Sequence, residues 1–141
     1  MALTARYLAD KSALTRMQRP TVRERLAPLI DTGRVATCSI VLLAMLYSTR
    51  SPEDHRATRE RLSLALEVAE IDQAVLDRAV YIQSLLATRS EHRGVSLPDL
   101  IIAATAEHHD LAVLHYDRDF DRVAAVTGQV VDWVVPAGSV D

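Results

Sequence analysis

Three aspartates fall within five residues in "DRDFD": Asp117, Asp119 and Asp121. They follow the apolar run "LAVL". Two further acids stand in comparable places. Asp10 closes the apolar "ARYLA", and Asp99 opens the apolar-bodied segment "SLPDLIIAATAEHH". Each has an ordinary use at a helix start. Asp10 can cap a helix beginning at Lys11, Ser96 and Asp99 fit an S-x-x-D capping box, and Asp117 can cap "RDFDRVAAV". Taken together they allow a different chemistry. Carboxylates that converge repel one another and need a cation between them. An all-oxygen donor set suits a hard ion, Mg²⁺ or Mn²⁺, rather than zinc. Such an ion can orient an attacking water and stabilise the leaving oxygen when a phosphodiester is cleaved.

The elements around these acids read as an α/β order. "ARYLA" (5–9), "RVATCS" (34–39), "LAVLHY" and "QVVDWVV" are strand candidates. "KSALTRM" is helical until Pro20, and "TVRERLAPLIDTG" is a second helix closed by Gly33. "IVLLAMLYST" (40–49) is apolar over most of its length and reads as a buried helix. "SPEDHRATRERLSLAL" starts in Ser-Pro order and is charged on most faces, so it reads as a solvated helix. "IDQAVLDRAVYIQSLLA" has its apolar residues at a helical period with Asp72 as cap, and "TRSEHRGV" is a polar loop. Short strands separated by helices imply a central parallel sheet flanked by helices on both faces. Ligands of such sheets sit beyond the carboxyl ends of the strands, near a topological switch point, where Asp10 and Asp117 fall. The start of a buried helix at Asp99 can point into the same crevice.

Composition is consistent with one domain over residues 1–141. The chain is 49% hydrophobic and 25% charged, with only 4% aromatics, so its core is mainly aliphatic. The N-terminal "MALTARYLADKSAL" meets charge too early for a signal peptide, and no apolar run approaches the roughly 20 residues that span a bilayer. The lone Cys38 excludes an internal disulfide and a Cys-based zinc site. A cytoplasmic protein with no membrane role is expected. The net charge of −3 excludes polyanion binding by bulk charge. Lys11 is the single lysine, and Arg, whose planar fork suits phosphate, supplies the remaining cations.

The segments "YLADKSAL", "TCSIVLLAMLYS", "SLPDLIIAATAEHHDLAVLHYDRDFDRVA" and "VVDWV" together resemble a PIN domain, and most of all the VapC toxins of toxin–antitoxin pairs. The resemblance covers nearly the whole chain. It implies a PIN-like α/β fold, Mg²⁺- or Mn²⁺-dependent endoribonuclease cleavage of RNA, a VapB antitoxin as partner, and a homodimer. By resemblance, Asp10, Asp99 and Asp117 match the family's acidic positions, with Asp119 a further candidate. Asp121, on the next turn, is expected to serve the helix surface. Ser12 matches the family's small polar residue beside the first Asp, where it contacts a carboxylate or phosphate or serves the helix start. The family pattern places Glu where this chain has Ala44, and no acid lies between Asp31 and Glu53 to replace it. The Glu has been lost naturally or removed to tame a toxic nuclease, and activity is expected to be impaired.

Other residues carry structural expectations. His108 and His109 end a helix, where the dipole favours a cationic ring. His115 is expected to pack rather than ligate, Cys38 to be a small buried hydrophobe, and Trp133 to cover the core edge. Arg16, Arg19, Arg23, Arg25, Arg118 and Arg122 either line an RNA path or form a solvated face. The "IVLLAMLY" helix either belongs to the core or serves a dimer or antitoxin groove. Two further function classes compete with the nuclease. One is a catalytically inactive scaffold that acts by binding its antitoxin or another protein. The other, a phosphoacceptor receiver domain, is set aside because the second strand ends in "ATCS" and the chain lacks a late lysine.

Overall fold

The computed structural model describes residues 3–141, so the first two residues of the expected 1–141 domain lie outside the described residues. Five parallel strands form one sheet: β1 (Tyr7–Ala9), β2 (Val35–Thr37), β3 (Glu67–Val68), β4 (Ala112–His115) and β5 (Val131–Trp133). Their order is β3-β2-β1-β4-β5. Among the described residues, seven helices connect them: α1 (Lys11–Leu14), α2 (Pro20–Asp31), α3 (Ser39–Tyr47), α4 (Pro52–Ala65), α5 (Gln73–Ala87), α6 (Leu97–His108) and α7 (Asp119–Thr127). The α/β class expected from the sequence is the one observed.

The topology fixes where the helices lie. From β1 the chain steps outward to β2 and β3, then returns across the sheet to β4 and continues to β5. Parallel crossovers are right-handed, so steps in opposite directions put their helices on opposite faces. The contacts of α5 with α6 and α7 agree with a shared face for the later helices. The reversal leaves a switch point between β1 and β4, where Ala9 pairs with Leu114. The next amide, that of Asp10, donates to the Leu114 carbonyl at 2.9 Å and prolongs the pairing by one residue. The two strands therefore release Asp10 and Asp117 at the same end of the sheet.

The core is aliphatic, as the scarcity of aromatics implies. Leu8, Val35, Val113 and Leu114 fill the strands, with Val22, Leu26, Val75, Ile82 and Leu86 packed on them from the helices. Phe120 is the largest fully buried side chain, and Cys38 is buried and free. Gly128 ends α7 in a left-handed conformation (φ 74°), which costs glycine little. No described helix is long and apolar enough to cross a membrane.

Three expectations need correction. The helix in "KSALTRM" is a single short turn of residues 11–14, followed by further turns. A strand not expected from the sequence, β3, pairs with β2 at Ala36 and Thr37. Finally, α3 is not a buried helix. Val41 is its one fully buried residue, whereas Leu43 is 65% and Tyr47 88% exposed. It carries apolar side chains around its whole circumference and meets the body of the protein along one side.

Candidate active site

Asp10 is buried at the end of β1. One of its oxygens, Oδ2, accepts both the Ser12 backbone N–H (3.0 Å) and the Ser12 hydroxyl (2.6 Å), so it does cap α1. The Ser12 hydroxyl in turn accepts the Tyr116 N–H at 2.8 Å, which ties the start of α1 to the end of β4. Of the contacts expected of Ser12, the one with a carboxylate is present, and its proton is committed there.

Asp99 stands in the first turn of α6, and the Ser96 hydroxyl accepts its N–H at 3.3 Å. Asp117 lies just beyond β4, where its Oδ1 accepts the Asp119 N–H at 2.9 Å. Asp119 begins α7 and receives a hydrogen bond from Arg122 Nη1 at 3.1 Å. Of the capping roles expected of these acids, only that of Asp10 is filled by a carboxylate. In α6 the cap is the Ser96 hydroxyl, and the Asp99 carboxylate makes no return bond to the Ser96 N–H. Helix α7 follows Arg118 with no side-chain cap, and Asp117 closes only a local turn onto the Asp119 N–H. The carboxylates therefore keep most of their acceptor capacity free.

Asp10, Asp99 and Asp117 line one cavity of about 390 Å³, together with Lys11, Ser12, Ile40 and Ala44. The tightest grouping differs from the sequence-derived trio. Carboxylate oxygens of Asp99, Asp117 and Asp119 come within 4.8 Å of one another, whereas Asp10 stands outside that group. The cause is local: Asp10 is turned onto the Ser12 N–H and hydroxyl.

The electrostatics match this crowding. Burial, and then the negative charges of Asp10 and Asp117, push the Asp99 carboxyl up to about 7, against a lowering hydrogen bond from Ser96. Burial and Asp117 also raise Asp119, offset in part by Arg122. Lys11 is the one cation lining the cavity, and its Nζ donates to Ser48 Oγ at 3.2 Å. Hard oxygen donors crowded together, one of them raised by burial and by its acidic neighbours, fit a hard divalent cation.

His115 is fully buried. Its ring packs against Phe120 and Trp133 at centroid distances of 5.1 and 5.0 Å, which is the packing role expected of it. Burial lowers its pKa against the pull of Asp121 and Asp10. Asp121 is exposed and accepts the Trp133 indole N–H at 3.0 Å. Trp133 is half-buried over this edge of the core. His108 lies in the last turn of α6, and His109 follows it with Nε2 2.9 Å from the Glu70 carbonyl.

Several arginines are already engaged within the fold. Arg16 and Arg19 bind the C-terminal Asp141, and Arg16 also lies over the Tyr116 ring. Arg25 donates to the Trp133 carbonyl, Arg23 approaches the Met17 carbonyl, and Arg122 joins Asp119 to Glu91. Arg118 is exposed. The sequence reading passed over Lys11 as a site residue, although its place directly after Asp10 was a usable signal.

Residues 7–126 match the PIN domain family. Ribonuclease VapC21 of Mycobacterium tuberculosis is 49% identical over 97% of this chain and 99% of its own length. Among solved structures, a DNA-bound VapBC from Salmonella typhimurium superposes with a TM-score of 0.76 at 22% identity, covering 94% of this chain and all of that one. VapBC-5 from Mycobacterium tuberculosis is 25% identical, with a TM-score of 0.59 over 91% of this chain and 96% of that one.

Proposed function

As the chain belongs to the PIN domain family, in its VapC branch, we propose that it is the endoribonuclease toxin of a toxin–antitoxin pair. The observation that carries this reading is the clustering of the Asp99, Asp117 and Asp119 carboxylates, with Asp10 lining the same cavity as Asp99 and Asp117 and with Asp99 pushed up to about 7 by burial and then by its acidic neighbours. The ribonuclease activity named for the 49% identical relative supplies the substrate class.

Asp99, Asp117 and Asp119 would hold Mg²⁺ or Mn²⁺, with Asp10 facing the same cavity. A bound ion there would lower the pKa of a water and neutralise charge on the RNA phosphate. The protein's own groups do the remainder. Ser12 fixes the Asp10 carboxylate and the backbone at Tyr116, so the ends of β1 and β4 keep their spacing. Arg122 holds Asp119 from the outer side. Lys11, at the cavity wall, is placed to meet a phosphate. Ala44 lines the same cavity, so a glutamate at that position would face the acids and add one more oxygen donor. Its absence accounts for the weak activity proposed for this copy.

The proposed partner is a VapB-like antitoxin, in keeping with the VapBC name of the 25% identical neighbour. The exposed Leu43 and Tyr47 of α3 and Leu64 of α4 offer it an apolar surface. A homodimer is proposed through the apolar groove between α5 and α6, lined by Leu76, Val80, Leu97 and Ile101.

The test compares RNA cleavage by the chain as it stands, by Ala44→Glu, and by Ala44→Glu combined with Asp10→Asn, each with Mg²⁺ or Mn²⁺. Ala44→Glu is expected to cut at least about 10–100-fold faster than the parent, the usual effect of a ligand or its orienting group. The added Asp10→Asn should abolish the gain. A folded Ala44→Glu protein no faster than the parent would shift the balance to the binding-scaffold function.

A further inference from the structure

We infer that His115 is a positioning residue of the acidic site: its Nδ1 accepts the Asp117 backbone N–H at 3.1 Å and so sets the turn from which the Asp117 and Asp119 carboxylates project. The inference rests on the metal-site reading above. Packing explains why the ring is buried but not why it is a histidine. An aliphatic or phenyl side chain could fill the space between Phe120 and Trp133. Neither could accept a hydrogen bond from a backbone amide.

The geometry assigns the tautomer. An N–H directed at Nδ1 leaves no room for a proton on that nitrogen, so the neutral ring carries its proton on Nε2. Nε2 lies 3.9 Å from Asp121 Oδ1, too far for a hydrogen bond but close enough for a favourable field. The second oxygen of Asp121 accepts the Trp133 indole N–H at 3.0 Å, which keeps that carboxylate facing the ring. His115 is itself fixed by β4, where it pairs with Trp133 across to β5.

From this anchored ring the turn is specified amide by amide. Tyr116 N–H goes to Ser12 Oγ (2.8 Å), Asp117 N–H to His115 Nδ1 (3.1 Å), Asp119 N–H to Asp117 Oδ1 (2.9 Å) and Phe120 N–H to the Asp117 carbonyl (3.2 Å). Two of these bonds are made to side chains that are not themselves members of the acidic group, Ser12 and His115. Ser12 sets the distance to β1, and His115 sets the backbone direction at Asp117. Without the imidazole acceptor, the Asp117 amide would lose its partner and turn toward water or toward a neighbouring carboxylate. Either outcome moves the Asp117 and Asp119 oxygens.

The experiment uses the full chain and Mn²⁺ alone as probe. NMR of the unmodified protein should show a scalar coupling between the Asp117 amide nitrogen and His115 Nδ1, together with ring shifts of the Nε2–H tautomer. An Nδ1–H tautomer without that coupling overturns the inference whatever the variants do. By calorimetry, His115→Leu should weaken Mn²⁺ binding about 10–100-fold, as removal of an orienting partner does. His115→Asn, whose amide oxygen falls near the Nδ1 position, should restore most of the loss. Equal weakening in both variants, or none in His115→Leu, also overturns it. Asp117→Asn separates the two claims. If it loses Mn²⁺ while His115→Leu keeps it, the metal site stands and the positioning role fails. If Asp117→Asn binds as the parent does, the metal-site reading fails as well.

Discussion

At the scale of single residues, Asp99 concentrates the electrostatic cost of the site. Its carboxyl rises from an ordinary 3.8 to about 7, mainly through burial. Below about 4 the group is protonated in folded and unfolded chains alike. Between there and about 7 the folded chain retains a proton that the unfolded chain has released. The metal-free protein is therefore expected to lose stability as pH rises through that window, and Asp99→Asn should flatten the decline. Thermal unfolding in EDTA from pH 4 to 8 reads this directly, and parallel curves for parent and variant would contradict it. Mn²⁺ affinity should run the other way and increase over the same pH range, because a ligand must be deprotonated. Ala44→Glu adds another like charge to the cavity. It should lower the melting temperature in EDTA and enlarge the gain on adding Mn²⁺. An unchanged melting temperature in both conditions would mean that the new carboxylate does not face the acids. The acids themselves were legible in the sequence because each follows an apolar run or opens one. The hydrogen bond from the Asp117 amide to His115 was not, because residue types do not reveal which ring nitrogen faces which amide.

At the scale of elements, the site depends on where helices begin. The hydroxyl of Ser96 accepts the Asp99 N–H, and Pro98 sits in the first turn. Ser96→Ala removes that acceptor. It should cost about 1 kcal/mol, the usual price of an N-cap, read as a lower urea midpoint at an unchanged slope. The capped start is also what holds Asp99 toward the cavity, so Mn²⁺ affinity should fall in the same variant. Loss of stability with unchanged affinity would show that α6 is aimed by its packing alone. Helix starts were readable because Ser, Asp and Pro have local jobs there. Ser51, Asp72 and Ser96 all cap the helices expected of them. The edge strand β3 was not readable: its two residues, Glu67 and Val68, are both exposed, so they carry no alternation. The apolar sequence of α3 misled for the opposite reason. Hydropathy records that "SIVLLAMLY" avoids water but not what covers it.

At the scale of the whole molecule, that uncovered surface calls for a partner. Leu43 and Tyr47 on α3 are 65% and 88% exposed, and Leu64 on the adjoining α4 is 89% exposed. On α5 and at the start of α6, Val80 and Leu97 are 69% and 65% exposed beside the second apolar groove. Single exposed apolar residues are common, but several carried by two packed helices, as on α3 and α4, suit an interaction surface. With the proposed antitoxin on the α3–α4 surface and the proposed second copy in the α5–α6 groove, the two can be separated by charge. An aspartate at the centre of a desolvated contact loses its hydration without gaining a partner, a cost on the order of 2–4 kcal/mol, or about 30–1,000-fold in affinity. Leu43→Asp should therefore release the proposed antitoxin and leave the proposed dimer intact. Val80→Asp should dissociate the dimer and leave antitoxin binding intact. Neither residue lines the acidic cavity, so Mn²⁺ affinity should match the parent in both. Co-expression with that antitoxin, followed by size-exclusion chromatography with light scattering, reads both masses at once. If Leu43→Asp keeps the antitoxin at micromolar concentration, or if Val80→Asp alone releases it, the assignment of the two surfaces is wrong.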